Sequence, residues 1–267
     1  MERKFMRAAG LIACVMLTFL LAACGPAAPK PYELPESPYA PEDFTYAGEY
    51  LTCSAGSVLT GIDVSSHQGQ IDWQAVADAG IRYAFVRLGY RGYSNGELMA
   101  DTMAQQNLAG AKAAGIAVGA YFFSQAISVE EALEEADYAM QILGDFQLDL
   151  PLVYDWEYVN DTARTAGVDA RTLTDCTLAF CRAVESRGYD AMIYFNSHQI
   201  KNLLYGQELE AYPWWLAKYD HAMDFPCRVD MWQYSNQGSV PGIAGQVDLN
   251  VLFVEFGLGK QWTDAMS

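Results

Sequence analysis

Asp155 and Glu157 stand two residues apart, with Trp156 between them, after the apolar run Leu150-Pro151-Leu152-Val153-Tyr154. On a strand, residues i and i+2 project to the same side, roughly 7 Å apart along the chain. Two carboxyls that share one space repel when both are ionised, which raises the pKa of at least one. A protonated acid beside a carboxylate is what cleavage of a glycosidic bond commonly uses. A surface loop with two solvated acids would read the same way over three residues, so the surrounding elements decide.

Those elements alternate. Short apolar runs at 59–64, 83–88, 117–123, 150–156, 191–195, 214–217, 230–234 and 246–251 read as strands. Helical patterns fall between the early ones, at 73–79, 99–114, 129–143 and 173–187. Ser128 followed by Glu131 matches a capping box, and Ala132, Ala136, Ala139 and Leu143 mark the inward stripe of that helix. Glu130, Glu131, Glu134, Glu135 and Asp137 read as its wet face. Gly80, Gly115 and Gly188 each precede a strand and suit helix C-caps. The rhythm predicts an α/β fold, a single irregular (β/α) barrel of TIM type with short helices in the last third. An open doubly wound sheet competes, but no glycine-rich phosphate loop follows the first strand.

In such a barrel the chemistry gathers at the C-terminal ends of the strands. The first strand ends in Asp63, Ser65, His67 and Gln68, the second reaches Arg87 and Tyr90, and the third carries Tyr121, Phe122 and Phe123. The fourth holds Asp155 and Glu157, the fifth Tyr194, the sixth Trp215 and Tyr219, the seventh Gln233, and the eighth Asp248. Four acids ringed by aromatics suit a sugar site, where apolar ring faces meet aromatic side chains and a few fixed polar groups hold hydroxyls. Singly, each aromatic is as consistent with core packing, and Asp63 with a turn or cap.

Gly61-Ile62-Asp63-Val64-Ser65 with Gln68, the Asp155-x-Glu157 pair, Trp215 with Tyr219, and Trp232-Gln233-Tyr234 followed by Asp248 resemble the glycoside hydrolase family 25 lysozymes. The resemblance runs in family order from about Thr60 to Phe253. It implies an irregular α/β barrel that hydrolyses the β-1,4 bond between N-acetylmuramic acid and N-acetylglucosamine in peptidoglycan glycan strands. It implies Glu157 as general acid and then base, and Asp155 as the group that orients the substrate's N-acetyl carbonyl for attack on the anomeric carbon. Asp63 and Asp248 would complete the catalytic floor, with sugar contacts from Arg87, Tyr90, Tyr121, Tyr194, Trp215, Tyr219 and Gln233. Phe122 stands where many members of the family have His, which puts one polar sugar contact in doubt. A non-catalytic glycan-binding lipoprotein is the alternative; a chitin-type hydrolase would need the Asp-x-x-Asp-x-Asp-x-Glu pattern, of which Asp155 and Glu157 supply the last two acids.

The N-terminal residues place this chemistry outside the cytoplasm. Arg3, Lys4 and Arg7 precede an apolar stretch from Leu11 to Ala23, read as a signal peptide over 1–23. Leu21-Ala22-Ala23-Cys24-Gly25 resembles a bacterial lipobox, which makes Cys24 the lipidated residue that holds the protein on a membrane surface. Residues 24–57 carry six of the ten prolines and read as a tether, and 58–267 as the catalytic domain. Some 30 extended residues would reach on the order of 100 Å. The net charge is −17, and −19 once the three basic residues and one acidic residue of the signal peptide are gone, with no basic stripe. Nucleic acid is thereby excluded as a partner, and a monomer is expected. His67, His198 and His221 are scattered and no zinc-type cysteine spacing occurs, so neither metal nor cofactor is expected. Cys176 and Cys181 lie on one predicted helix in positions that cannot be bridged, whereas a Cys53–Cys227 pair stays open.

Overall fold

The protein is described by a computed structural model over residues 35–219, 223–255 and 257–266; Cys24 and the signal peptide lie outside the described residues. A hairpin of β1 (Phe44–Ala47) and β2 (Tyr50–Cys53) comes first. β3 (Val58–Val64), α1 (Trp73–Asp78), β4 (Tyr83–Arg91), the short β5 (Leu98–Ala100), α2 (Ala104–Ala113) and β6 (Ala117–Ser124) follow. Next come α3 (Val129–Leu143), β7 (Leu152–Trp156), α4 (Ala170–Glu185), β8 (Ala191–Asn196) and α5 (Ser197–Asn202). β9 (Trp214–Ala217), β10 (Met231–Gly238), β11 (Val247–Phe253) and α6 (Gly257–Met266) end the chain. Around the ring the order is β3, β4, β6, β7, β8, β9, β10, β11, and β11 pairs back to β3 to close an eight-stranded barrel. Neighbours are parallel from β3 to β10, and β11 runs antiparallel to both of its own.

Strand alternation divides the core in two. Ile62, Val64, Ala84, Val86, Val118, Ala120, Leu152 and Tyr154 point outward against the helices. Tyr83, Phe85, Val153, Met192, Trp215, Met231 and Leu252 point inward and fill the lumen. A Cβ on Gly61 would lie 2.2 Å from the Tyr83 ring, so glycine at that position lets the ring cross the barrel floor. Above this plug the same inward positions become polar, and the site begins there.

The helices start where their caps dictate. Ser128 accepts the Glu131 N–H at 3.4 Å, while the Glu131 carboxylate reaches the N–H of Ile127 at 3.0 Å, one residue before its expected partner. The wet face predicted for α3 is corrected at Glu135, which is fully buried beside Ala132, Ala136 and Ala139. It takes hydrogen bonds from Arg91 Nε at 2.8 Å and Ser124 Oγ at 2.6 Å, and burial pushes its pKa up to about 7. The predicted helix over 99–114 begins at Ala104 instead, with Met99 in β5. Asp101 explains the break: its carboxylate accepts from Arg87, from the Ser66 N–H and from the Met103 N–H, which fixes a turn before α2.

The tether predicted over 24–57 is also corrected in its described part. Phe44 and Leu51 are buried, with Phe44 edge-on to Trp232 and Phe253 at 5.5 and 6.1 Å. Tyr39 stacks on Phe253 at 5.2 Å and donates to Glu255 at 2.9 Å. The Arg228 N–H donates to the Pro35 carbonyl at 2.6 Å. Residues 35–57 are therefore a docked cover on the barrel wall, because their aromatic residues find an apolar face despite the prolines around them. Cys53 and Cys227 are both thiols, so the open pairing is not made, and Cys176 and Cys181 are buried thiols on α4.

Candidate active site

Asp63, Arg87, Tyr121, Asp155, Tyr194, Gln233 and Asp248 all lie at inward positions near the upper rim of the barrel. Register brings them together: Asp63 sits opposite Asp248, and Asp155 between Phe123 and Tyr194. Asp248 reaches the rim because β11 is antiparallel, so the start of that strand lies level with the ends of the others. Glu157 is the first residue beyond β7. With Phe123, Trp215 and Tyr219 these residues line a cavity of about 180 Å³.

Amides lock the floor of this cavity. Asp63 Oδ2 accepts from Gln233 Nε2 and Asn250 Nδ2, both at 2.8 Å. Gln233 Oε1 accepts from the hydroxyls of Tyr194 and Tyr219, again at 2.8 Å each. Trp215 Nε1 donates to Asn250 Oδ1 at 2.9 Å. Gln233 is thus a relay that fixes two tyrosines and one acid with a single side chain. Arg87 is held by Asp101 through Nε at 2.8 Å and by Ser66 at 3.3 Å, while its guanidinium lies 5.3 Å from the Tyr90 ring. Tyr90 is not among the residues lining the cavity, and lies instead beside Arg87.

Burial dominates the electrostatics. It pushes Asp63 up to about 6 against the two amide donors that favour its charge. It pushes Asp248 up to about 8, helped by the charges of Asp63 and Glu157. Asp155 is raised well above the ordinary carboxylate range by burial, then by Glu157 and Asp63. Glu157 is raised by burial and by Asp63, while the hydrogen bond that joins it to Asp155 works the other way. Two interacting carboxyls in a site of low solvent access titrate as a pair, and both are raised from their ordinary values. Among the described residues no amide, hydroxyl or guanidinium donor reaches Asp155 Oδ1, although that atom is buried. It is left for a donor brought by a ligand.

Two buried glutamines that sequence reasoning missed hold the Trp156–Glu157 turn. Gln199 Nε2 donates to the Trp156 carbonyl at 2.5 Å, and Gln125 Nε2 to the Glu157 carbonyl at 2.6 Å. Gln125 is in turn fixed by Thr165 at 3.2 Å and by Arg164, which donates to the Gln125 backbone carbonyl at 2.9 Å. No spacing signals such a role for a neutral amide. Asn250 was legible in principle, since it is two residues from Asp248 on one strand and must share its face. Phe122 points outward, edge-on to Tyr138 at 6.4 Å, and Phe123 is the residue that faces the cavity.

Residues 62–243 match the family model described as glycosyl hydrolases family 25. The chain belongs to glycosyl hydrolases family 25. Among family relatives, it is 33% identical over 211 residues to the uncharacterized protein YegX of Escherichia coli K12, covering 74% of this chain and 70% of that protein. It is 28% identical over 205 residues to Lysozyme M1 of Streptomyces globisporus, covering 73% of this chain and 67% of that one. The modular autolysin LytC of Streptococcus pneumoniae, solved in complex with a synthetic peptidoglycan ligand, superposes with a TM-score of 0.64 at 26% identity. That match covers 73% of this chain and 46% of LytC, so the chain spans under half the length of that structure. The family-25 match begins one residue before Asp63 and stops short of Asp248. Asp248 therefore joins the site through its strand pairing with Asp63, and the hairpin before β3 lies outside the matched span.

Proposed function

We propose that this family-25 hydrolase cleaves the β-1,4 bond between N-acetylmuramic acid and N-acetylglucosamine in peptidoglycan, with Glu157 as general acid and then general base. The observation that carries the reading is the juxtaposition of buried Asp155 and half-buried Glu157 in one cavity lining, with an Asp155 oxygen that no donor among the described residues reaches. Glu157 holds the proton that the leaving oxygen needs. Asp155 offers its oxygen to the N–H of the substrate's acetamido group, which turns the acetamido carbonyl toward the anomeric carbon. A separate carboxylate nucleophile would flank the sugar opposite the acid, whereas Asp155 and Glu157 stand two residues apart at the end of one strand. Substrate assistance thus fits this pair better than a covalent glycosyl-enzyme, and it predicts retained anomeric configuration without a covalent adduct. Tyr121, Tyr194, Trp215 and Tyr219 would form the walls against sugar rings, with Gln233 and Arg87 as polar contacts.

Glu157→Gln keeps the shape of the side chain and removes the proton shuttle. General acid–base catalysis contributes about 10²- to 10⁴-fold, so release of reducing ends from purified peptidoglycan should fall by at least that lower figure while glycan affinity persists. Equal turnover by wild type and variant would refute the role of Glu157. Affinity without turnover in both would favour a glycan-binding protein.

We propose further that Cys24 carries lipid on the outer side of a bacterial membrane. The lipobox-like sequence supports this, and the docked hairpin shortens the expected reach: eleven residues lead from Cys24 to Pro35. At roughly 3.1 Å per extended residue they span at most about 35 Å. Fatty-acid labelling of cells that express wild type and Cys24→Ala tests it, and label retained by the variant would refute it.

A further inference from the structure

We propose that the N-terminal hairpin completes a second sugar subsite beside the catalytic cavity, which grips the glycan strand one or more rings away from the bond that is cut. This rests on the muramidase reading above. The catalytic cavity, at about 180 Å³, is smaller than the roughly 300–1,000 Å³ of sites that enclose a ligand. A polymer that enters it must leave along a neighbouring surface. Tyr219 also lines a second recess, of about 350 Å³, whose far wall is Tyr46 of β1. The two recesses therefore adjoin at one ring, which lines both.

That ring is a fixed ridge. Its hydroxyl donates to Gln233 Oε1 at 2.8 Å, within the hydrogen-bond chain that ends on Asp63, yet the residue remains 52% exposed. Tyr46, 40% exposed, is held edge-on to Tyr234 at 6.0 Å. Tyr234 in turn takes the Leu51 N–H at 3.4 Å and donates to the Glu49 carbonyl at 3.3 Å. Glu49 Oε2 accepts the Ser239 N–H at 2.6 Å, which ties the hairpin turn to the end of β10. Both aromatic walls are thus rigid before a ligand arrives, and little ordering entropy is lost on binding.

The lining chemistry selects a sugar over a stem peptide. Asn236 and Gln237 offer neutral amide groups, Tyr46 and Tyr219 offer aromatic faces, and among the described residues the one charged side chain of the lining is the carboxylate of Glu49. Amides beside aromatic faces match the hydroxyls and C–H faces of a pyranose. A carboxylate, whether of a stem peptide or of a free lactyl group, would meet Glu49 with no cation among the described lining to offset it, so the recess suits a neutral sugar ring.

The test is a length series. Peptide-free glycan strands of four, six, eight and ten sugars are given to the full chain, to Tyr46→Ala and to Gln237→Ala, and kcat/KM is measured for each. For wild type kcat/KM should rise with length. In Tyr46→Ala the ratio of long-strand to short-strand kcat/KM should fall about five- to tenfold, the loss of one aromatic contact. Gln237→Ala should lower the same ratio by about two- to threefold. Wild-type activity with an unchanged length profile in both variants would overturn the subsite and leave the muramidase reading standing. A loss confined to peptide-bearing strands would also overturn it, in favour of a peptide groove. A wild type that cut no strand of any length would bring down the muramidase reading and the subsite with it.

Discussion

Asp63→Asn perturbs the charge at the barrel floor with almost no change of shape. Asp63 is 7% exposed, and burial raises it from 3.8 to about 6 even though Gln233 and Asn250 both donate to it. The unfolded chain releases this proton near 3.8 and the folded chain near 6. Between those values the folded state binds more protons, so its stability falls as pH rises, and above about 6 the loss is complete. From 3.8 to about 6 corresponds to roughly 3 kcal/mol. Asparagine carries no charge, and its carbonyl oxygen can occupy the place of Oδ2 and accept the same two N–H groups. Those bonds weaken by about 1 kcal/mol in total when the acceptor is neutral. The net expectation is a gain of about 2 kcal/mol at pH 8 that disappears near pH 4.

Urea denaturation of the purified protein at pH 8 and pH 4.5 measures this directly. A variant no more stable than wild type at pH 8 would refute the claim that burial, rather than the amide donors, decides the ionisation of Asp63. An equal gain at both pH values would also refute it, since the stabilisation would then owe nothing to a proton. The same substitution removes a negative charge from beside Asp155, Glu157 and Asp248, each of which Asp63 pushes upward. The basic limb of the pH–rate profile should therefore move to lower pH in whatever activity remains.

Gln125→Ala leaves the Glu157 carbonyl without its donor, and should lower kcat about tenfold with little change in KM, because the acid is misplaced while the sugar walls stand. Partial recovery in Gln125→Asn, or a loss carried by KM alone, separates positioning from sugar binding; the latter result would refute it. Phe44→Ala removes a buried ring from the hairpin–barrel interface, a change worth about 3 kcal/mol, so limited proteolysis within 35–57 should accelerate about a hundredfold. Unchanged protection would mean that Phe44 does not hold the hairpin down.

Much of the barrel was legible because its strands are short apolar runs bounded by helix caps and glycines. The run at 150–156 contains β7, and alternation along it correctly turns Asp155 inward with Val153. Strand direction was not legible: nothing in Val247–Phe253 says that β11 runs against its neighbours, and Asp248 reaches the rim by starting its strand there. The hairpin was hidden by composition, since prolines outweigh two short alternating segments whose burial depends on a distant wall built by Trp232 and Phe253. Glu135 was hidden for a similar reason. An acid in a run of acids reads as solvated, and only the tertiary placement of Arg91 from β4 and Ser124 from β6 makes its burial tenable.

The same burial that unsettles the four acids gives the site its directional chemistry. Arg87, the cation of the cavity lining, is also paired with Asp101 at 2.8 Å, and its charge offsets only part of the rise at Asp155. Burial and mutual repulsion raise all four acids toward their protonated forms in the resting site. Under the role proposed for Glu157, passing its proton to the leaving oxygen would return negative charge to the cavity just as positive charge grows on the sugar ring. The attraction between them is realised in the transition state and not in the bound ground state, which is the condition for an interaction to accelerate the reaction. An anionic group held against these acids would oppose that step throughout. On the proposed muramidase reading, a free lactyl carboxylate of a bound, peptide-free muramic acid would therefore face away from Asp63 and Asp248.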